Sequence, residues 1–172
     1  MIRHMSIERL MPPTTTTERE TLRGYLDFQR ATLALKCDGL DDEQLRQQAS
    51  PPSTLSLLGL LRHMAEVERV WFRLVVNRED VPRVWSDTGD FQAAFNTDGA
   101  TAHEAYAAWE REIEHARRIE ATVDSLDNVY RYERRDMDIS LRAVMMHMIG
   151  EYARHNGHAD LLREAVDGTV GP

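Results

Sequence analysis

Apolar residues recur at helical spacing in four long stretches of the chain, separated by turn-forming residues. Thr17 with Glu20 three residues on makes a capping-box pattern. It predicts a first helix from Glu18 to Cys37, with an imperfect stripe of Leu22, Leu26, Ala31, Leu33 and Leu35, stopped by Gly39. LDDEQLRQQ (40–48) reads as a short helical turn. In PPSTLS, Pro51 and Pro52 disfavour helix before them, and Ser53 or Ser56 can cap the next helix. This second helix is expected over Leu57 to Asn77, with Leu57, Leu60, Leu61, Met64, Val67, Trp71, Leu74 and Val75 on its buried side.

Residues 78–100 mix Pro82, Gly89 and Gly99 with Trp85, Phe91 and Phe95, the pattern of a long loop packed across the helices. A third helix is expected over Ala102 to Val123, carrying Ala105, Trp109, Ile113, Ala116 and Ile119. Its other side is strongly charged and reads as solvent-facing. Asp124 to Asp138 reads as irregular, with a strand-like piece at VYRYERR. Ser140 then caps a fourth helix from Leu141 to about Val166, which Asp167 and Gly168 stop. The expectation is an all-α bundle of four helices in one domain over residues 16–172, with residues 1–15 a flexible segment.

At 172 residues the chain can bury a core without a metal or disulfide staple, so a metal here would serve chemistry rather than the fold. Its single cysteine, Cys37, rules out an intrachain disulfide framework and a C-x-x-C thiolate site, and points to a reducing, cytoplasmic compartment. The N-terminal residues sustain no apolar secretion signal, and charges interrupt the most apolar run, LSLLGLLRHMAEVERVWFRLVV, so neither secretion nor membrane spanning is expected. A net charge of -8, from 29 acidic and 21 basic side chains, opposes binding to a phosphate backbone. RYERR (131–135) is a local exception without any accompanying nucleic-acid motif.

Candidate chemistry lies on the second and fourth helices. His147, Glu151, His155 and His158 succeed one another at three- or four-residue steps, so they project toward roughly one side of the last helix. His63 shares the apolar side of Leu60, Val67 and Trp71, where an imidazole needs a partner. If the helices face each other, His63 meets the Glu151/His155 step. Two imidazoles and a carboxylate with open water positions make a catalytic site for a divalent ion. The bland reading is a hydrogen-bonded core histidine and an ordinary i,i+4 polar pair. Within helix four, His147 is the alternative to Glu151, and His158 is a hydrogen-bond partner placed to orient His155. His4, His103 and His115 are assigned no role.

FQRATLALKCDGLDDEQLRQQ, PPSTLSLLGLLRHMAEVERVWF and ISLRAVMMHMIGEYARHNGHADLLREAVDG resemble the DinB/YfiT-like superfamily of metalloenzymes, in its DUF664-type branch, over nearly the whole chain. The resemblance implies a four-helix bundle running up-down-down-up, with a long crossover between helices two and three. It also implies a metal held by one histidine of helix two and an H-x-x-x-H or E-x-x-x-H pair of helix four. Those ligands carry over to His63 in LLRHMAEVE and to Glu151 and His155 in EYARH. Glutamate at the first position of the pair departs from the commoner three histidines and is similar to the site of mycothiol-dependent maleylpyruvate isomerase.

Members of the superfamily include S-transferases using bacillithiol or mycothiol. The resemblance therefore implies a divalent-metal-dependent thiol S-transferase, with zinc first and nickel, manganese or iron as alternatives. Its implied partners are mycothiol or a similar low-molecular-weight thiol, a small electrophile, and a second copy in a homodimer. Two other classes stand beside it: metal-assisted hydrolysis, and a non-enzymatic stress-response or interaction bundle. Arg62, Arg154 and Asn156 are candidates for positioning substrate, with an exposed helix face as the plainer reading of each. Cys37 has no recognisable base and is not taken as a nucleophile. Trp71 and Trp109 read as packing, and Trp85 as a substrate contact or a loop anchor.

Overall fold

The computed structural model describes residues 8–171; His4 and the rest of the first seven residues lie outside it. The chain is predominantly helical, as expected. Helix α1 (Glu18–Cys37) starts at Thr17, whose hydroxyl accepts from the Glu20 N–H while the Glu20 carboxylate accepts from the Thr17 N–H. A short α2 (Asp42–Arg46) uses the same reciprocal cap through Asp41 and Gln44. α3 (Leu57–Glu68) is capped by Ser56, and α4 (Ala102–Thr122) by Thr101 and Glu104. α5 (Leu141–Asp167) begins at Ser140 and ends at Gly168, whose left-handed φ of 78° is one that glycine adopts without strain.

The second predicted helix changes hydrogen-bonding pattern after Glu68 and continues as a π-helix, Arg69–Val76. Apolar spacing reports which side is buried, not whether each N–H reaches back four residues or five, so the change is silent in the sequence. The irregular stretch after α4 contains a hairpin of β1 (Val129–Tyr132) and β2 (Met137–Ser140), joined by a 3-10 turn at Glu133–Arg135. They pair antiparallel, Val129 with Ser140 and Tyr132 with Met137. VYRY carries the aromatic and β-branched residues that favour strand. MDIS, with one strong strand former, does not announce its partner.

α1 packs against α5 and α3 against α4, while α3 also touches α5 and α1. At one end Arg142 bonds Glu18; at the other, Arg163 donates to the Lys36 and Asp38 carbonyls. Residues 8–13 lie along α1, with Arg9 over the Phe28 ring and Pro13 so close to Gly24 that a Cβ there would clash with the proline ring.

The charged side of α4 is not wholly solvent-facing. Glu112 is buried beneath Arg69 at 2.5 Å and Arg73 at 3.4 Å, and Glu120 is buried beneath Arg19 and Arg23. Deeper still, Arg30 of α1 makes two 2.8 Å bonds to the Glu68 carboxylate of α3. The Tyr152 hydroxyl of α5 donates to the same carboxylate at 2.8 Å and accepts from the Trp109 indole N–H of α4 at 2.8 Å. Each of the four long helices thus contributes one side chain to a single buried polar network, which fixes their mutual register.

The crossover is tied down along α3. Glu66, buried, accepts from the backbone N–H groups of Val84 and Trp85 at 2.8 and 3.2 Å. The Trp85 indole donates to the Arg62 carbonyl at 2.8 Å, and the Arg62 guanidinium stacks on the Trp85 ring and donates to the Ala94 carbonyl. Arg62 and Trp85 are therefore anchors of the loop. At Gly59 a Cβ would meet Ser56 Oγ at 3.2 Å and the Phe95 ring at 3.4 Å, so glycine lets the 3-10 turn Phe91–Phe95 settle onto α3 beside His63.

Candidate metal centre

His63 and His155 face each other from α3 and α5, their rings 4.7 Å apart at 66°. Phe95 stacks on the other side of His63, 4.7 Å away and 22° from parallel. Glu151, one turn before His155, brings Oε2 to 3.6 Å from His155 Nε2. Ligand-capable atoms of His63, Glu151 and His155 all lie within 4.8 Å of one another. Small side-chain rotations close such a set onto an ion with bonds of about 2.0–2.2 Å.

His63 Nδ1 is shielded from solvent and has no hydrogen-bond partner. A buried nitrogen left without a partner is costly, and a neutral imidazole lone pair is a metal ligand. Burial, with the neighbouring His155 adding to it, holds the His63 pKa down at about 4. The imidazole is therefore neutral at neutral pH and already in its coordinating form. Glu151 is kept ionised by its hydrogen bond to His155, against a smaller opposing effect of burial. On residue chemistry, the set is compatible with a metal ion.

His158 and His147 flank the three. His158 Nδ1 is 3.3 Å from His155 Nδ1, close enough for one ring to donate to the other and so to orient the His155 imidazole. His147 Nε2 stands 3.8 Å from Glu151 Oε1, and its ring tilts against Trp71 at 4.5 Å. Asn156 turns away to α1, donating to the Gln29 carbonyl and side-chain oxygens, and Arg154 is exposed. Trp109 belongs to the buried network, and His103 lies on the surface. His115 bonds Arg118.

A cleft of about 370 Å³ opens beside the centre, with His63, His147 and Glu151 on one side and Trp71, Tyr132 and Phe91 among its apolar walls. Arg134 and Arg135 of the hairpin turn complete it. Sequence spacing does not connect these arginines, Phe91 or Tyr132 to the site. RYERR is visible there only as local positive charge, and nothing in it tells that the hairpin folds over the α3–α5 face.

Cys37 lies buried at the end of α1, and desolvation pushes its thiol up to about 12. It is expected to resist iodoacetamide in the native protein at pH 8 and to react in urea, as mass spectrometry can read. Rapid native labelling would return it to the candidate nucleophiles.

The helices and the histidine–carboxylate cluster between α3 and α5 agree with what the resemblance to the DinB/YfiT-like superfamily implies. Residues 21–168 match the family described as mycothiol-S-transferase, and the chain belongs to that family. No curated protein matches it. Among the described residues, no helix is long and apolar enough to cross a membrane.

Proposed function

We propose that the chain is a divalent-metal-dependent S-transferase that joins mycothiol, or a similar low-molecular-weight thiol, to a small electrophile. Family membership over residues 21–168 supports thiol transfer, and the convergence of ligand-capable atoms of His63, Glu151 and His155 within 4.8 Å, on a His63 whose buried Nδ1 has no hydrogen-bond partner, is the observation that carries the metal. His63, Glu151 and His155 would hold the ion, zinc first by the donor set. When bound, a divalent ion supplies Lewis acidity that favours thiolate over thiol near neutral pH. The proposed scaffold is one domain over residues 16–172, a four-helix bundle running up-down-down-up. Contacts of Arg142 with Glu18 and of Arg163 with the end of α1 support a parallel α1 and α5.

The protein's own residues prepare the reaction. His63 presents a neutral lone pair, and His158 orients the His155 ring. Trp71, Tyr132 and Phe91 give the cleft walls that keep water from the nucleophile. In the transfer the thiol proton passes to solvent, the sulfur forms a bond to the electrophilic carbon, and the leaving group departs with the bonding pair. A hydrolytic reading needs a free general base, and Glu151, the carboxylate of the cleft, would be committed to the ion. Cytoplasmic location is part of the proposal, since a low-molecular-weight thiol cosubstrate requires a reducing compartment.

Tag-free protein prepared without immobilised-metal chromatography is expected to carry about one ion per chain by elemental analysis, and a folded His63→Ala/His155→Ala variant almost none. Loaded wild type should then couple mycothiol to 1-chloro-2,4-dinitrobenzene with release of chloride. Unchanged metal content in the variant, or no ion after reconstitution with zinc, manganese, nickel and iron, removes the metal assignment. Loading without thiol transfer removes the transferase.

A further inference from the structure

We propose that Arg134 and Arg135 form an anion-recognition subsite in the cleft of the candidate metal centre, and that the small molecule accepted there carries a carboxylate. That this molecule is the electrophile rests on the thiol-transferase reading; that it is an anion rests on the hairpin.

The 3-10 turn Glu133–Arg135 projects its two arginines to the same cleft that His63 and Glu151 line. Acidic residues surround them in sequence, yet those acids are drawn to a different partner. Arg131 takes Glu133 at 3.9 Å, Asp138 at 3.4 Å, and Asp136 by direct contact. Among the described residues, Arg134 and Arg135 have no ion pair, and both are exposed. In a chain of net charge -8, two adjacent cations left without acids at a cleft are a local reversal of sign.

Arg134 is held rather than free-swinging, its guanidinium 4.7 Å over the Phe91 ring, a ring that Arg83 also covers at 4.7 Å. Stacking leaves the edge N–H donors of a guanidinium free, and their fork matches the two oxygens of a carboxylate. The negative group in the cleft, Glu151, stands between His147 at 3.8 Å and His155 at 3.6 Å. An incoming anion thus meets the arginines on one side and Trp71, Tyr132 and Val67 for its apolar body. A volume near 370 Å³ suits a small organic acid and not a polymer.

The test is binding of 3-phenylpropanoate against 3-phenylpropanamide to the full chain, by calorimetry, in both zinc-loaded and EDTA-treated protein. The acid is expected to bind about tenfold more tightly than the amide in both forms, and the preference should shrink as salt is raised, as for exposed charges. A R134A/R135A variant, shown folded by circular dichroism, is expected to lose the preference. Equal binding of acid and amide by wild type overturns the inference. So does a preference that survives in the arginine variant, or one that appears only with zinc, because the carboxylate then sits on the ion. A protein that discriminates through these arginines but neither loads metal nor transfers thiol keeps the anion subsite and loses the transferase; thiol transfer without discrimination does the reverse.

Discussion

Glu68→Ala is expected to destabilise the protein by about 3–5 kcal/mol, the usual cost of removing one partner from a buried ion pair. The Arg30 guanidinium is 3% exposed and would lose two 2.8 Å bonds at once, while the Tyr152 hydroxyl would lose its acceptor. Asp27, 3.0 Å from Arg30 Nη1, is half-exposed and shared with Arg117, so it compensates only in part. Against a total stability of about 5–15 kcal/mol for a domain, such a loss moves the urea midpoint far. The paired replacement Arg30→Met/Glu68→Gln should recover a large part of it, because no buried charge is then left alone. A loss under about 1 kcal/mol for Glu68→Ala, on the scale of an exposed pair, would mean that water reaches the network and that it does not set the helix register.

That network was the part of the fold least legible in the sequence. Nothing in the sequence pairs Arg30 with Glu68, and Glu112 and Glu120 lie on the charged side of α4 that reads as solvent-facing although both are buried. Burial of a charge depends on a partner from another helix, and no single-helix pattern contains it. Helix limits were legible for the opposite reason. Thr17 with Glu20, Ser56, Ser140 and Gly168 act within one turn, and each caps or stops its helix where local chemistry predicts.

The grouping of His63 with Glu151 and His155 stands between these extremes. Four-residue spacing places Glu151 and His155 on one side of α5, and apolar neighbours place His63 on the buried side of α3. Only the packing of α3 against α5 brings the two sides together. The hairpin was half visible. VYRY favours strand by composition, whereas the fold of Arg134 and Arg135 over the cleft depends on a turn whose Asp136 takes a left-handed φ of 50°.

Metal-free protein is expected to lose roughly 3 kcal/mol of stability between about pH 6.5 and pH 4 through His63 alone, at about 1.4 kcal/mol per pH unit. The sign comes from burial. Folding holds the His63 pKa at about 4 against an ordinary 6.5, so within that window the unfolded chain binds a proton that the folded chain refuses. Above about pH 6.5 neither state is protonated there, and the full stability is present. Glu151, His147 and His158, whose pKa values are also lowered, push in the same direction, so the contribution of His63 is read as the difference between wild type and His63→Gln. In EDTA-treated samples, urea unfolding should give a steep fall in stability toward pH 4 for wild type and a shallower one for the variant. Zinc-saturated wild type should start higher and fall more steeply still, because protons then compete with the ion for the same nitrogens. Parallel pH profiles for wild type and His63→Gln without metal would show that His63 protonates in the folded state at its ordinary pKa, and would remove the buried, coordination-ready imidazole on which the centre depends.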